Sequence, residues 1–445
     1  MDKIIWIEKK INNYNKKILV DSDKSLSIRW ALLASQAIGL SKANNLLKSE
    51  DVLSTLNCLK KLGVKVVLKK NSCEILGNGL NSFKYKKNLV LNTGNSGTLA
   101  RLLIALLIRS PYKIKITGDK SLSKRDFLRV IEPLKKFGAN FYPKNKTTLP
   151  LFIRGNNYLR PIKYHEKKGS AQVKSCIMLA ALNAPGITKI IAKKSRNHTE
   201  ILYKYLNIPI KIKKKKNLSL IEVKSKIDIK PLNYNIPSDI SSSAFFIALT
   251  LLSKKSNLII KNVNINETRA GSIIILNKMG AKIKFKNKRS YKGEKIADIH
   301  VKSAKSLKHI KCPTKYNTSA IDEFLIIFLV AAKSKGVSYF SNLSELNQKE
   351  SQRLKLGSKI LNMIGVKTKL TDHSIKIYGN PNLNLNLNKN YVIKNYFKDH
   401  RIFMMSTIAA LTLGGKWKIH NSESIKTSFP SFLKLIKYLG GKYIQ

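Results

Sequence analysis

The phrase Leu59-Lys-Lys-Leu-Gly63-Val-Lys65 recurs along this chain of 445 residues, and its recurrence decides the fold. The other copies are Leu134-Lys-Lys-Phe-Gly138-Ala-Asn140, Leu276-Asn-Lys-Met-Gly280-Ala-Lys282, Leu361-Asn-Met-Ile-Gly365-Val-Lys367 and the looser Leu435–Lys442 and Tyr203–Ile208. Each copy predicts an amphipathic helix that ends at a glycine, or at Asn207 in one case, and is followed by a strand. The copies lie about 75 residues apart, so six copies of one unit account for the whole chain.

Each unit also contains an earlier, apolar helix that begins with small or polar residues suited to capping. These starts lie near Lys24, Asn95, Ser170, Asp239, Ile321 and Asp399. Short β-rich stretches between the helices complete a βαβαββ-like α/β unit, and six units predict two domains of three. The predicted N-terminal domain covers residues 23–236, and the C-terminal domain covers 237–445 and is joined by residues 1–22.

The composition limits the function classes. A hydrophobic fraction of 43% fits a folded protein, and no apolar run approaches the length of a membrane span. The beginning of the chain lacks signal- and transit-peptide features, and four scattered cysteines form no CxxC pair. We therefore expect a soluble, cytoplasmic, metal-free protein.

The net charge of +59 comes mostly from lysine, since 72 of the 84 basic residues are Lys and 12 are Arg. The lysines are spread through every segment, which favours a solvated basic surface over a nucleic-acid site. Because lysine cannot reproduce the planar fork of arginine, the few arginines are candidates for bidentate anion contacts.

The chemically distinctive residues lie at the starts of the apolar helices, where free N–H groups and the helix dipole attract anions. Simpler interpretations stay open for several of them. Ser25, Thr98 and Ser170 are also plausible helix caps, Arg101 and Arg109 helix-flank charges, and His400 a local hydrogen-bonding group; Arg269 could pair with Glu267. Asp322 and Glu350, placed among cations and apolar residues, are candidates for proton transfer.

Several ordered motifs resemble the 3-phosphoshikimate 1-carboxyvinyltransferase family, also called 5-enolpyruvylshikimate-3-phosphate (EPSP) synthases, in a form similar to the bacterial class II. They are Asp23–Arg29, Gly94–Thr98 with Arg101, Thr117–Arg125, Ser170–Ser175, Asn183–Gly186, Ser195–Glu200, Ile321–Glu323, Lys349–Arg353, Asp399–Arg401 and Lys426–Pro430. The resemblance implies a two-domain inside-out α/β barrel that closes on its substrates. It also implies transfer of the enolpyruvyl group from phosphoenolpyruvate to the 5-hydroxyl of shikimate 3-phosphate, on the route to chorismate and the aromatic amino acids.

The resemblance further implies the site residues. Shikimate 3-phosphate would contact Lys24, Ser25, Arg29, Ser170, Ala171, Gln172, Arg196, Asp322 and Lys349. Phosphoenolpyruvate would contact Lys24, Gly97, Arg125, Gln172, Arg353, Arg401 and Lys426. Asp322, Glu350 and Lys24 would be catalytic, with no metal or organic cofactor, and the enzyme would act as a cytoplasmic monomer on small molecules, without a nucleic-acid or membrane partner. Glyphosate would compete with phosphoenolpyruvate near Gly97, although Leu102 replaces a common proline.

Three positions depart from the family pattern: Asp126 and Leu325 each replace a proline, and Gln352 replaces an aspartate before Arg353. These changes leave an inactive relative as one alternative. A sister enzyme acting on UDP-N-acetylglucosamine is a second, but it generally carries a cysteine near the region matching Asp119–Arg125, where this chain has none. A basic nucleic-acid-binding protein is a third.

Overall fold

The computed structural model describes residues 2–225 and 228–445 and divides into two compact units. The N-terminal unit comprises Ser22–Ile236 and Tyr291–Glu294, and the C-terminal unit comprises Met1–Asp21, Pro237–Ser290 and Lys295–Gln445. Met1, at the start of the predicted segment 1–22, and Lys226 and Ile227, in the predicted N-terminal domain, lie outside the described residues.

Among its described residues, the N-terminal unit contains three α-helices that are mostly buried, three amphipathic α-helices and three four-stranded sheets. The buried helices are Lys24–Ala34, Gly97–Leu106 and Ala171–Ala181, and the amphipathic ones are Glu50–Lys61, Leu128–Phe137 and His198–Tyr205. In spatial order the sheets are Tyr234–Asn235, Ile38–Asn44, Ser72–Asn78 and Lys65–Leu68; Val90–Asn92, Ile114–Thr117, Leu151–Arg154 and Asn140–Tyr142; and Lys163–Glu166, Ile187–Lys193, Leu218–Lys224 and Ile210–Lys215. In each sheet the first pair of strands is parallel and the other pairs are antiparallel.

The C-terminal unit has a similar arrangement of buried helices and sheets, but two of its three described sheets have three strands. Its buried helices are Ile240–Leu252, Phe324–Ala332 and His400–Leu413, and its other helices are Gly271–Lys278, Asn317–Ala320, Arg353–Met363 and Phe432–Tyr438. In spatial order its sheets are Lys284–Tyr291, Glu294–Lys302, Asn257–Asn264 and Asn15–Ile18; Gly336–Phe340, Ile375–Gly379 and Thr368–Leu370; and Ile5–Ile7, Lys416–Ile419 and Asn390–Ile393. Every residue of Phe324–Ala332 is buried, as expected for a helix that is apolar on all sides.

The helix-ending residues of the six repeats share one backbone conformation. Gly63, Gly138, Asn207, Gly280, Gly365 and Gly440 all have φ between 53° and 118°. This left-handed region is unfavourable for most side chains but is accessible to glycine and tolerated by asparagine. The repeat read from the sequence therefore corresponds to six copies of one helix-terminating turn.

The strand Asn257–Asn264 packs against the buried helix Ile240–Leu252. Leu258 and Ile260 are fully buried in the apolar core of the C-terminal unit. A second core of buried residues occupies the N-terminal unit. Within residues 2–225 and 228–445, no helix is long and apolar enough to cross a membrane.

Candidate active site

The three buried helices of the N-terminal unit start as the sequence predicts, and each start is capped by a side chain. Asp23 accepts a hydrogen bond from the N–H of Leu26 at 2.9 Å, and Ser96 accepts one from Leu99 at 3.2 Å. Ser170 accepts one from Val173 at 3.4 Å, so its interpretation as a helix cap is correct. Ser25 and Thr98 instead lie within the first turns of their helices.

The carboxylate of Glu166 organises the loop before Ser170. It accepts hydrogen bonds from the backbone N–H groups of Lys168 at 3.0 Å and Gly169 at 2.6 Å, and it is buried. Gly169 has φ of +75°, which a side chain rarely adopts. The loop leading to Ser170, Ala171 and Gln172 is therefore fixed by an internal carboxylate that the sequence analysis did not single out.

The side chain of Arg29 makes hydrogen bonds to three helices of the N-terminal unit, at Ser25, Ser175 and Thr199. Its Nε donates to the Thr199 hydroxyl at 2.9 Å, and one terminal nitrogen donates to the Ser175 hydroxyl at 3.1 Å. The other terminal nitrogen donates to the carbonyl of Ser25 at 3.1 Å, and Arg29 is buried. The guanidinium thus holds the helix Lys24–Ala34 against its neighbours as well as standing at a predicted anion site.

The motif Ser195–Glu200 contributes two more buried contacts. Lys174 pairs with Glu200 at 2.6 Å, and His198 Nδ1 lies 2.6 Å from a carboxylate oxygen of Glu294. Glu294 belongs to the turn Tyr291–Glu294, which the structure groups with the N-terminal unit although both flanking strands continue into the C-terminal unit. Sequence reasoning missed this pairing, since the two residues are 96 positions apart and no local pattern connects them.

Two predicted ligands of the N-terminal unit, Lys24 and Arg125, have acidic or polar partners. Lys24 pairs with Asp51 at 2.9 Å, and its side chain is 18% exposed. Arg125 donates to the Asn95 side-chain carbonyl at 3.1 Å, and Asn95 in turn donates to Asp119 at 2.5 Å. Asp119 and Asn95 therefore orient the predicted phosphoenolpyruvate ligand Arg125.

Gly97 is enclosed by two arginines. A Cβ atom at this position would lie 2.7 Å from a terminal nitrogen of Arg101 and 3.2 Å from one of Arg125. Arg101 also bonds the side-chain oxygen of Gln172 at 3.0 Å, so it is not the solvated helix-flank charge that we expected. Arg109, by contrast, is exposed as expected.

In the C-terminal unit, Arg353 lies among three carboxylates. Its Nε and a terminal nitrogen bond the two oxygens of Asp399 at 2.9 and 3.2 Å, a bidentate geometry that lysine cannot provide. The same nitrogen bonds Glu350 at 2.5 Å, and Asp322 lies 3.6 Å from the other terminal nitrogen. Lys349 is 3.8 Å from Asp322.

The pKa values of Arg353 and Asp399 are both shifted by their buried ion pair. Burial alone would lower the pKa of Arg353, but Asp399, Glu350 and Asp322 together raise it above its ordinary value. Burial would raise the pKa of Asp399, but the charge of Arg353, its hydrogen bonds and the interaction with His400 together lower it. Both groups are therefore held in their charged forms.

Arg401 and His400 stand at the start of the helix His400–Leu413. One terminal nitrogen of Arg401 donates to the carbonyl of Asp322 at 2.7 Å, which links the predicted phosphoenolpyruvate ligand to the predicted base. His400 is buried, and its Nδ1 lies 3.3 Å from the hydroxyl of Thr427, next to the exposed Lys426. Arg196, in the N-terminal unit, is half-buried before the helix His198–Tyr205.

The structure accommodates the three departures from the family pattern. Asp126 accepts a hydrogen bond at 2.9 Å from the N–H of Leu128, the first residue of the helix Leu128–Phe137. Leu325 packs where Gly357 leaves room, since a Cβ there would lie 2.9 Å from a Leu325 methyl carbon. Gln352 makes no side-chain cap, yet Asp399 and Glu350 orient Arg353 without it.

Arg269 takes a different partner from the one considered above. It donates to Asp239 at 3.0 Å and to the Ser241 hydroxyl at 2.7 Å, while Glu267 pairs with Lys295. Ser241 also donates to Glu323, the buried neighbour of Asp322. This network connects two helix starts of the C-terminal unit.

Comparison with known proteins gives a consistent result. The model of the EPSP synthase (3-phosphoshikimate 1-carboxyvinyltransferase) family matches residues 8–436. A 3-phosphoshikimate 1-carboxyvinyltransferase from Ruthia magnifica subsp. Calyptogena magnifica is 37% identical over 98% of both chains. The enzyme of that name from Vesicomyosocius okutanii subsp. Calyptogena okutanii is 38% identical over 96% of both.

Solved structures agree with these relatives. An EPSP synthase from Acinetobacter baumannii superposes with a TM-score of 0.86 at 33% identity over the full length of both chains. An enolpyruvyl transferase from Streptomyces tendae shares the fold, with a TM-score of 0.78 at 12% identity over 99% of this chain and 98% of its own. The α/β fold class predicted from the sequence, the two-domain inside-out arrangement of βαβαββ units, is confirmed. The chain belongs to the EPSP synthase family.

Proposed function

We propose that this chain transfers the enolpyruvyl group of phosphoenolpyruvate to the 5-hydroxyl of shikimate 3-phosphate and releases phosphate. The observation that carries this proposal is the match to the family along nearly the whole chain. The UDP-N-acetylglucosamine reaction is not favoured by these relatives. The enzyme is a transferase of aromatic amino acid biosynthesis that acts on small molecules, and we place it in the cytoplasm as a monomer.

The two substrates explain why cations collect at helix starts. Both are phosphorylated carboxylates, and helix N-termini with arginine forks stabilise such groups. We assign shikimate 3-phosphate to Lys24, Ser25, Arg29, Ser170, Ala171, Gln172, Arg196, Asp322 and Lys349. We assign phosphoenolpyruvate to Lys24, Gly97, Arg125, Gln172, Arg353, Arg401 and Lys426.

In the proposed chemistry, the 5-hydroxyl oxygen attacks C2 of phosphoenolpyruvate while C3 accepts a proton. Asp322 takes the hydroxyl proton, and Glu350, assisted by Lys24, delivers the proton to C3. In the second step Glu350 takes a proton back from C3 of the tetrahedral adduct. The C2–C3 double bond re-forms as the bond between C2 and the phosphate oxygen breaks, and phosphate leaves with the proton held by Asp322. The surrounding cations stabilise the charge that develops on the phosphate and carboxylate. No metal or organic cofactor enters the proposal.

Phosphate release tests the function directly. Wild-type enzyme with phosphoenolpyruvate and shikimate 3-phosphate should release phosphate, and replacing the acceptor with UDP-N-acetylglucosamine should not support turnover. Release with only the sugar nucleotide would overturn the assignment.

Asp322→Ala and Glu350→Ala test the catalytic roles. Each should lower kcat by about 10²-fold or more, the scale of lost acid–base catalysis, while shikimate 3-phosphate still binds. Near-normal kcat in either variant would remove that residue from the proposed mechanism.

A further inference from the structure

We propose that Arg101 is a positioning residue that fixes the side-chain amide of Gln172 so that its donor end meets the anionic substrates. This inference rests on the proposed function, in which Gln172 contacts both substrates. Arg101 itself lies in the second turn of the helix Gly97–Leu106 and does not belong to the set of ligands assigned above.

The hydrogen bonds of Gln172 permit only one orientation of its amide. A terminal nitrogen of Arg101 donates to the side-chain oxygen of Gln172 at 3.0 Å. The amide nitrogen of Gln172 donates to the hydroxyl of Thr98 at 3.0 Å. Because a guanidinium can only donate, an amide turned by 180° would face it with a donor and lose the contact.

Arg101 is itself held rigidly. Its terminal nitrogens also donate to the carbonyls of Gly97 at 3.4 Å and Asp126 at 3.2 Å. Its guanidinium carbon lies 4.8 Å from the ring centre of the buried Phe127, a distance suited to a cation–π contact. The guanidinium thus joins the helix start at Gly97 to the segment that follows Arg125.

Fixing the amide has a chemical consequence. The Gln172 nitrogen carries two hydrogens, of which Thr98 accepts one, so the second can be donated to a ligand. Phosphate and carboxylate oxygens in the ionised substrates act as acceptors, so they bind this donor end and repel the carbonyl end. Arg101 therefore favours anionic ligands without touching them.

The test compares Arg101→Met with Arg109→Met, a matched change at the exposed arginine beyond the end of the same helix. Loss of the donor orientation should raise KM for phosphoenolpyruvate, shikimate 3-phosphate or both by about 10- to 100-fold, the scale of a hydrogen bond to a charged group. The Arg109 variant should stay within about twofold of wild type, the scale of a surface change.

A double-mutant cycle separates positioning from general structural damage. In a Gln172→Ala background, Arg101→Met should add less than about threefold, because the amide that it orients is already gone. A full additional loss in that background, or an unchanged KM for both substrates in Arg101→Met alone, would overturn the proposal.

Gln172→Glu supplies a variant that keeps a partner for Arg101 through an ion pair. It should retain the wild-type melting temperature within a few degrees, yet raise KM at least as much as Arg101→Met, because an ionised carboxylate offers no donor. Near-wild-type KM in this folded variant would also overturn the proposal.

A readout without turnover keeps the inference separate from the proposed function. In ¹⁵N-labelled protein, the side-chain amide signals of Gln172 should move toward those of a solvent-exposed glutamine in Arg101→Met and stay unchanged in Arg109→Met. Unchanged signals in both variants would refute the positioning role. Absence of phosphate release from the wild type would refute only the proposed function.

Discussion

Glu200→Gln removes one charge from the buried ion pair of the N-terminal unit. Lys174 and Glu200 are 2.6 Å apart, and their side chains are only 3% and 6% exposed. Breaking such a pair leaves an uncompensated buried charge and costs about 3–5 kcal/mol. Since each kcal/mol shifts the melting temperature of a domain of this size by about 2–4 °C, the transition of this unit should fall by roughly 6–20 °C.

The same unit contains an exposed pair that serves as the matched control. Lys189 and Glu222 are 3.4 Å apart, with side chains 50% and 27% exposed. Water screens this pair, so Glu222→Gln should cost at most about 1 kcal/mol. A double variant, Lys174→Met with Glu200→Leu, should recover most of the stability because it removes both buried charges.

Calorimetry and urea unfolding followed by circular dichroism measure these differences. The N-terminal transition of Glu200→Gln should separate from that of the wild type, while that of Glu222→Gln should overlay it. Equal, small shifts of the melting temperature in both single variants would refute the argument that burial decides how much each ion pair contributes to stability. A double variant no more stable than Glu200→Gln would show that packing, and not the unpaired ammonium, causes the loss.

Three further predictions concern other groups. Because the pKa of Asp399 is lowered in the folded protein, its contribution to stability is complete above the ordinary carboxylate pKa and is lost as the pH falls through the lowered value. Asp399→Asn should therefore destabilise the C-terminal unit at pH 7. In acid titrations, the variant should lose less stability than the wild type below about pH 4. Burial raises the pKa of the Cys58 thiol to about 12 and also raises the pKa of the other three cysteine thiols. A thiol reagent at pH 8 should therefore label the native protein slowly and the unfolded protein at all four cysteines. Rapid labelling of the native protein would contradict this prediction. Gly97→Ala should raise the glyphosate inhibition constant more than the KM for phosphoenolpyruvate. The added carbon would lie 2.7 Å from Arg101 and 3.2 Å from Arg125, and glyphosate, the longer of the two ligands, needs more of this space. Equal glyphosate inhibition of both forms would remove Gly97 from control of access.

The parts of the fold that the sequence predicts are those with local signals. A helix that ends in a left-handed residue needs glycine or asparagine at one position, so the ends at Gly138 and Asn207 could be read directly. The apolar helix starts were equally visible, because capping depends on neighbours within three residues, as at Ser170 and Val173. The resemblance then supplied the candidate ligands.

The contacts that orient those ligands could not be predicted. Arg101 and Gln172 are 71 positions apart, and Arg29 and Thr199 are 170 apart. Such pairs depend on how three repeats pack around one another, which one repeat does not encode. The grouping of the turn Tyr291–Glu294 with the N-terminal unit was missed for the same reason.

The arginines connect the composition to the site. Arg29, Arg101 and Arg353 each use at least two nitrogens to bond separate oxygen atoms, a geometry that a single ammonium group cannot reproduce. Arg109 and Arg154 are exposed, where lysine would serve equally well as a solvated charge. In a chain with six lysines for each arginine, scarcity alone therefore does not identify a functional arginine. The number of oxygen atoms that its guanidinium group holds in fixed positions does. By this criterion Arg101 is a positioning residue and not a surface charge.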